Sequence, residues 1–321
     1  KNDILYLTLF TAIYLFISTA RILAIGTTFT DRFGSFWYLY LVLIFLICIK
    51  KLKLSKKIIL NICIGSTLFY GIIGTLYFFN LPTIEIQGEF NKTFLNDVIH
   101  RYEGLLGASN GHSIYLFTFF LIYAGLLKNK FIQWFLFPIV LLSIIVTGSR
   151  LPLLLYILFW SNYLFKKSRF LFICLLSFLS YLFLNIINTL DLGIRLFDND
   201  IGSDSRIGKT DFFIDLVSSN FLQIFTFGIE ASLQSKGSLN ISDNSFTLII
   251  LNSGFMLFII WILFIKLIQP LFFKSFLSDK IFLISTLLIF SLNNAILYLS
   301  WVLYVITYCH ILSSKITTNE R

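Results

Sequence analysis

Three charged residues of this chain lie where they could take part in chemistry. Arg150 ends the sequence TGSR, residues 147–150, between two apolar runs, whereas Arg206 and Asp243 lie in a longer polar segment. A guanidinium group can bind a phosphate through two parallel hydrogen bonds, and a carboxylate beside an apolar site can act as a general base. An arginine that only anchors a helix end at a membrane surface would fit the same local sequence, so Arg150 alone leaves both roles open.

A second polar segment, residues 81–112, contains Arg101, Asn110 and His112. His100 and His112 are twelve residues apart and no third strong ligand accompanies them, so no metal site is predicted. The cysteines lie singly in apolar runs, and the chain contains no nucleotide-binding or hydrolase signature. We therefore predict a site without metal or cofactor, in which this segment covers or binds a substrate.

The composition predicts an all-α, polytopic integral membrane bundle. Of the 321 residues, 57% are hydrophobic and 13% are charged, and the mean hydropathy is +0.87. Apolar runs long enough to cross a bilayer recur along the chain, which predicts one membrane domain, residues 1–321, with about ten transmembrane helices. The predicted spans are 4–20, 36–49, 58–80, 113–127, 131–146, 151–165, 170–188, 246–265, 281–292 and 296–312. The last two spans could also form one long, tilted helix.

The distribution of charge predicts the orientation of these spans. Lysine and arginine concentrate in short segments such as 50–57 and 166–169, which the positive-inside rule assigns to the cytoplasm. Both termini are then cytoplasmic, and the net acidic loops 81–112 and 189–245 share the periplasmic side with Arg150. These two loops form the expected active-site face. The basic segments lack an aromatic stacking platform, so nucleic-acid binding is not predicted.

The large loop 189–245 is predicted to contain a surface helix. Asp204 and Ser205 are suitable N-caps for a helix through about residue 218, with apolar residues at helical spacing. Asp243 and Asn244 precede the next apolar run, where they could cap its helix and also act at a site. Lys209, Asp211 and Asp215 are interpreted as surface residues of the predicted helix.

Several short motifs occur in an order that is familiar from one family. They are TGSR at 147–150, Arg206 followed by FGIE at 227–230, DNS at 243–245 with Gly254, and Arg101 with Gly104 and Asn110. Over roughly residues 80–260, this pattern resembles the O-antigen polymerase and ligase superfamily. The ligase branch has a histidine where this chain reads Ser242-Asp243-Asn244, which favours the Wzy-type repeat-unit polymerase branch and leaves the general base undecided.

The resemblance implies a metal-independent, inverting glycosyltransferase that uses an undecaprenyl-pyrophosphate-linked donor. Arg150 and Arg206 would hold the pyrophosphate and stabilise it as the leaving group, and Asp243 is the candidate base, with His100 and His112 as alternatives. The expected substrate-binding residues are Arg101, Asn110, His112, Ser149 and Asn244. The expected location is the bacterial inner membrane, in the synthesis of O-antigen or capsule.

The resemblance leaves two other functions open. A ligase uses the same donor with a different acceptor, and a lipid-linked-oligosaccharide flippase would transport and not transfer. The two halves of the chain show no repeat and the spans contain almost no charge, which favours the enzyme over a transporter. The expected partners are the lipid-linked oligosaccharide, the bilayer, and a chain-length regulator and flippase of the same pathway.

Overall fold

The structure, a computed structural model, describes most of the chain. The described residues are 2–25, 30–52, 55–79, 81–83, 102, 104, 109–126, 130–170, 172–174, 176–177, 180–181, 211–229, 235–236, 239–240, 245–292 and 299–319. Four of the predicted site residues, Arg101, Arg206, Asp243 and Asn244, lie outside these ranges, as does His100.

The described residues are almost entirely helical, which confirms the predicted all-α class. The helices are α1 (Asn2–Ile25), α2 (Thr30–Lys51), α3 (Lys56–Phe78), α4 (Ser109–Leu126), α5 (Lys130–Val146), α6 (Arg150–Lys167), α7 (Phe221–Thr226), α8 (Ser245–Ser253), α9 (Phe255–Ile268), α10 (Phe272–Ser278), α11 (Lys280–Leu292) and α12 (Leu299–Asn319). Residues 211–219 and parts of 169–181 are also helical. Two strands of two residues each, Ser235–Lys236 and Leu239–Asn240, pair in an antiparallel manner.

Some of these helices are long and apolar enough to cross a membrane. Within the described ranges, α3 and residues Asn2–Ala20 of α1 meet this condition by length and composition, and α8 with α9 forms a third candidate if the pair counts as one span. Phe131–Val146, Lys280–Ser291 and Val302–Ser313 are apolar but shorter. The prediction of ten spans therefore stays a prediction.

The predicted single span 246–265 is wrong in one respect. The chain breaks at Gly254, and α8 and α9 meet at an angle of 112°. Gly254 has a φ of 80°, in the left-handed region that favours glycine, so one straight helix cannot pass through it. For the predicted pair 281–292 and 296–312, residues 293–298, which decide between one helix and two, lie outside the described ranges.

The chain divides into two compact units, and one of them is residues 55–201. In this unit α4 is enclosed, since every residue from 111 to 124 is buried, as expected for a helix that is apolar on all sides. The helices α3 and α5 approach closely at Gly74, where an added Cβ would overlap the Ser143 side chain. The Thr75 hydroxyl also reaches the Ile139 carbonyl oxygen across this contact, at 3.3 Å. Small residues at a helix contact permit such close packing.

The two ends of this unit differ in chemistry. At one end the Gln133 amide donates to the Ala124 carbonyl at 3.1 Å, and the Lys167 ammonium lies 5.9 Å from the centre of the Trp134 ring. The other end contains the TGSR turn between α5 and α6. Because α5 has 17 residues, the two ends are separated by about 25 Å.

The other unit consists of residues 1–54 and 202–321. Phe10 of α1 packs edge-on against Tyr40 and Phe264, and the Trp261 indole donates to the Leu39 carbonyl at 3.2 Å. At one end of this unit the Lys50 ammonium binds Asp3 at 2.8 Å and the Ile268 carbonyl at 3.0 Å. The start of α1 and the ends of α2 and α9 therefore lie together.

Candidate functional site

The TGSR sequence forms a tight turn between α5 and α6. Gly148 has a φ of 61°, in the left-handed region that favours glycine, where the backbone reverses. The Thr147 hydroxyl donates to the Ile144 carbonyl at 2.6 Å and accepts from the Ser149 amide at 3.3 Å. The Gly148 amide donates to the Ile145 carbonyl at 2.9 Å. The turn is thus bonded internally, and Arg150 becomes the first residue of α6.

Arg150 has an exposed side chain at the N-terminus of a long helix. The Ser149 side chain makes no capping bond to α6, and the first turn of the helix contains no acidic residue. Pro152 fits this first turn because its missing N–H would have no intrahelical partner there. A helix N-terminus already carries partial positive charge, and a guanidinium group adds to it. The local field at this end of α6 favours an anion.

Asn110 and Ser149 meet beside this arginine. The Ser149 hydroxyl donates to the Asn110 side-chain oxygen at 2.6 Å. Ser149 is buried, whereas Asn110, in the first turn of α4, is exposed. The structure therefore brings together three of the predicted site residues, two of which are 39 positions apart in the chain.

Part of the segment 81–112 lies on the end of α5 next to the turn. The Tyr102 amide donates to the Val146 carbonyl at 3.2 Å, and the Tyr102 side chain is fully buried against Ile73 and Val146. The Tyr77 ring lies beside it at a tilt of 38°, with ring centres 4.8 Å apart. This contact connects the segment directly to the residue that precedes TGSR. Arg101, the neighbour of Tyr102 and a predicted site residue, lies outside the described residues.

His112, which the sequence placed among the substrate-binding residues, is fully buried in the helix bundle. Its Nε2 lies 3.0 Å from the Ser143 hydroxyl oxygen, and that hydroxyl lies 3.3 Å from the Tyr70 carbonyl. The rings of Tyr70 and Tyr102 contact the imidazole, with centres 5.5 and 5.0 Å away. His112 is two residues from Asn110 in sequence, yet its side chain points into the interior and not toward the surface near Arg150.

The predicted surface helix of the large loop is present in its described part. Residues 211–219 are helical, and Leu216 is buried against Ile224 and Leu251, with Phe213 packed beside it. Asp211 and Asp215 are exposed, in agreement with their interpretation as surface residues. Residues 201–210, which include Arg206 and Lys209 and the predicted caps Asp204 and Ser205, lie outside the described ranges.

The FGIE sequence and Gly254 come into direct contact in the unit of residues 1–54 and 202–321. The Ile229 amide donates to the Leu251 carbonyl at 2.6 Å. Gly228 has a φ of 73°, and an added Cβ there would overlap that same carbonyl oxygen. A Cβ on Gly254 would lie 2.6 Å from the Thr226 carbonyl oxygen. Each glycine thus packs against the backbone of the other segment, so that residues 227–229 of this sequence lie on the break between α8 and α9.

Two residues near the Arg150 end, Tyr102 and Ser143, were not singled out from the sequence. Tyr102 bonds the residue that precedes the turn, and Ser143 contacts His112. The signal in the sequence was a polar or hydroxyl-bearing residue inside or beside an apolar run, but that pattern does not identify its partner. In the described part of the chain, no three histidine, cysteine, aspartate or glutamate side chains cluster as metal ligands would.

Comparisons of this chain with family models, with curated proteins and with solved structures each find no match.

Proposed function

We propose that this chain is an inner-membrane polysaccharide polymerase, which transfers a growing glycan from undecaprenyl pyrophosphate to the non-reducing end of a lipid-linked repeat unit of O-antigen or capsule. The observation that carries the proposal is the position of Arg150. It is exposed at the start of α6 and lies next to the contact between Ser149 and Asn110. The motif resemblance supplies the reaction, and this geometry supplies a place for an anionic group.

The proposed chemistry uses that positive charge on the leaving group. An acceptor hydroxyl oxygen attacks the anomeric carbon of the donor sugar from the side opposite the pyrophosphate, which inverts the configuration. The bond from this carbon to the pyrophosphate oxygen breaks, and its electron pair stays on the pyrophosphate. Arg150 stabilises the developing negative charge, because a guanidinium group positioned beside this oxygen offsets the charge as it forms. Asp243 is proposed to accept the proton of the hydroxyl.

The charges of the unit 55–201 support an outward orientation of this site. The lysines at the end of α6, Lys166 and Lys167, lie at the end of the helix opposite Arg150. The positive-inside rule assigns such lysines to the cytoplasm, which leaves Arg150 on the periplasmic side. In the other unit, Asp3, Lys50 and Ile268 meet at one end, as the proposed cytoplasmic position of their segments requires. The proposal includes about ten spans with both termini cytoplasmic.

The remaining members of the proposed site belong to segments next to described elements. Arg206 precedes the helix of residues 211–219, Asp243 and Asn244 precede α8, and Arg101 precedes the buried Tyr102. Arg206 is proposed to bind the second phosphate, and Arg101 and Asn244 the sugars. The donor oligosaccharide and the bilayer are the proposed partners, with a chain-length regulator and a flippase acting in the same pathway.

Replacing Arg150 with alanine tests the proposal in cells whose surface polymer depends on this chain. We expect one repeat unit on the lipid anchor and a loss of long-chain polymer of about 100-fold or more. The substitution removes a hydrogen-bond donor that stabilises the negative charge of the transition state. Lys166→Ala is the matched control, since it removes an exposed cation from the other end of the same helix. It should leave the chain-length distribution unchanged. Equal amounts of each variant in the membrane are verified by immunoblot.

Three outcomes would contradict this function. Normal long-chain polymer from Arg150→Ala would remove the pyrophosphate role of the arginine. The other two outcomes concern a deletion strain in which the anchor carries no repeat units at all. If lipid-linked polymer then accumulates on the periplasmic side, the chain is a ligase. If lipid-linked repeat units accumulate on the cytoplasmic side, the chain is a flippase.

A further inference from the structure

His112 is a fully buried titratable side chain that the proposed reaction does not use. Among the described residues no hydrogen-bond partner lies at its Nδ1, although this atom is buried. Burying a polar atom without a hydrogen-bond partner costs free energy, so the presence of such an atom calls for an explanation. This atom lies between the first turn of α4 and the segment at Tyr102 and Gly104.

The hydrogen bonds favour one tautomer of His112. The Ser143 hydroxyl donates to the Tyr70 carbonyl of α3 at 3.3 Å, which leaves its oxygen to accept from His112. The 3.0 Å contact is then Nε2–H of His112 donating to Ser143 of α5. With this assignment, one chain of bonds joins α4, α5 and α3 through the imidazole, and Nδ1 bears no hydrogen.

The bare Nδ1 faces the backbone at Gly104. A Cβ added to Gly104 would overlap this nitrogen, and the φ of Gly104 is 64°. Any other residue would be pushed from its place by the ring and strained in its backbone. The ring also contacts Tyr102 edge-on, and the Tyr102 amide is bonded to the residue that precedes TGSR. His112 therefore determines how closely this segment approaches the end of α5.

We propose that His112 is a positioning residue for the Arg150 site. Its bond to Ser143 holds the first turn of α4 against α5, and the edge of its ring at Nδ1 contacts the segment at Gly104. Together these contacts hold Asn110 against Ser149, next to Arg150. The assignment rests on the proposed function for its purpose, but the geometry that it sets is measurable without any activity.

Two conservative substitutions distinguish the contact made by Nε2 from the contact made by Nδ1. The amide nitrogen of glutamine reaches about as far as Nε2, whereas that of asparagine reaches only about as far as Nδ1. His112→Gln should therefore keep the bond to Ser143, and His112→Asn should lose it, so that the Ser143 oxygen no longer accepts a hydrogen bond from residue 112. The readout is disulfide formation between cysteines at positions 110 and 149, in a chain whose own four cysteines are replaced.

We expect His112→Asn to lower the rate of 110–149 cross-linking about tenfold, as loss of a buried hydrogen bond predicts, whereas His112→Gln stays close to the parent. Cysteines at 124 and 133 serve as the internal control. They join α4 to α5 at the end of the bundle opposite the TGSR turn, where the Gln133 amide donates to the Ala124 carbonyl. A general loss of folding would reduce both cross-links, and a positioning role reduces only the first.

A substitution on the facing segment gives a second measurement. Gly104→Ala should lower 110–149 cross-linking in the same way, because its methyl group displaces the segment from His112. Gly65→Ala in α3 is the control, since an added Cβ there meets nothing within 4 Å. Unchanged 110–149 cross-linking in both His112→Asn and Gly104→Ala overturns the positioning role. If cross-linking falls but Arg150→Ala still makes polymer, the positioning role stands and the proposed function fails.

Discussion

At the scale of single residues, the site depends on one hydrogen bond between distant parts of the chain. Ser149 donates to Asn110 at 2.6 Å, and the turn beside it is closed by Thr147 and Gly148. Because Ser149 directs its hydroxyl to Asn110, the end of α6 is left without a side-chain cap. The Ser149 hydroxyl thus connects the turn to α4 and makes no capping bond, and Arg150 directly follows this connection.

The Asn110–Ser149 bond predicts coupled effects on polymer formation. Asn110→Ala and Ser149→Ala should each reduce long-chain polymer about fivefold, as the loss of one hydrogen bond predicts, and the double variant should be no worse than either single one. The comparison is made by the chain-length distribution at equal protein levels. Ser180→Ala, which removes an exposed hydroxyl that donates to the Leu176 carbonyl one helical turn away, should have no effect. Independent, additive losses would show that the two residues do not act together.

At the scale of elements, two glycines determine how the large loop meets the broken helix pair. Gly228 and Gly254 both have positive φ, at 73° and 80°, and each lies against the other segment's backbone. The Ile229 amide, bonded to the Leu251 carbonyl, closes this contact. The break turns α8 away from α9, so the start of α8, directly after Asp243 and Asn244, is positioned by this glycine contact and not by a continuous span.

Gly254→Ala is expected to destabilise the protein. The substitution places a Cβ 2.6 Å from the Thr226 carbonyl oxygen and forces a left-handed backbone on alanine, so the thermal unfolding temperature in detergent should fall by a few degrees. Gly65→Ala is the matched control, for which we expect a small rise in the unfolding temperature. It lies inside α3 with open space around it, and alanine there should raise helix stability slightly. An unfolding temperature of Gly254→Ala at or above that of the parent would contradict this account.

At the scale of the whole molecule, each unit has lysine side chains at one identifiable end. In the unit 55–201 the exposed lysines of α6 lie at the end opposite Arg150. In the unit of residues 1–54 and 202–321, the Lys50 ammonium joins Asp3 to the end of α9. Lysine-rich ends of this kind favour the cytoplasmic face of a membrane, which is the basis of the proposed orientation.

The proposed orientation predicts which side of the membrane labels each end. In a chain without its own cysteines, a cysteine replacing exposed Asn110 should react with a membrane-impermeant maleimide in intact spheroplasts. A cysteine replacing exposed Lys57 should react only after the membrane is made permeable, because it belongs to the basic end. The opposite pattern of labelling would place Arg150 in the cytoplasm and would contradict a periplasmic glycan transfer.

The sequence by itself determined the helical class, most helix positions and the break between helices at TGSR, because apolar run length and a polar sequence between two runs are local properties. It also indicated Asn110, Ser149 and Arg150 as site residues. Only the tertiary structure decided that Asn110 bonds Ser149, that His112 faces the interior, and that the span 246–265 breaks at Gly254. These features depend on contacts between residues far apart in the chain, and helical periodicity contains no information about which distant surface a side chain will meet.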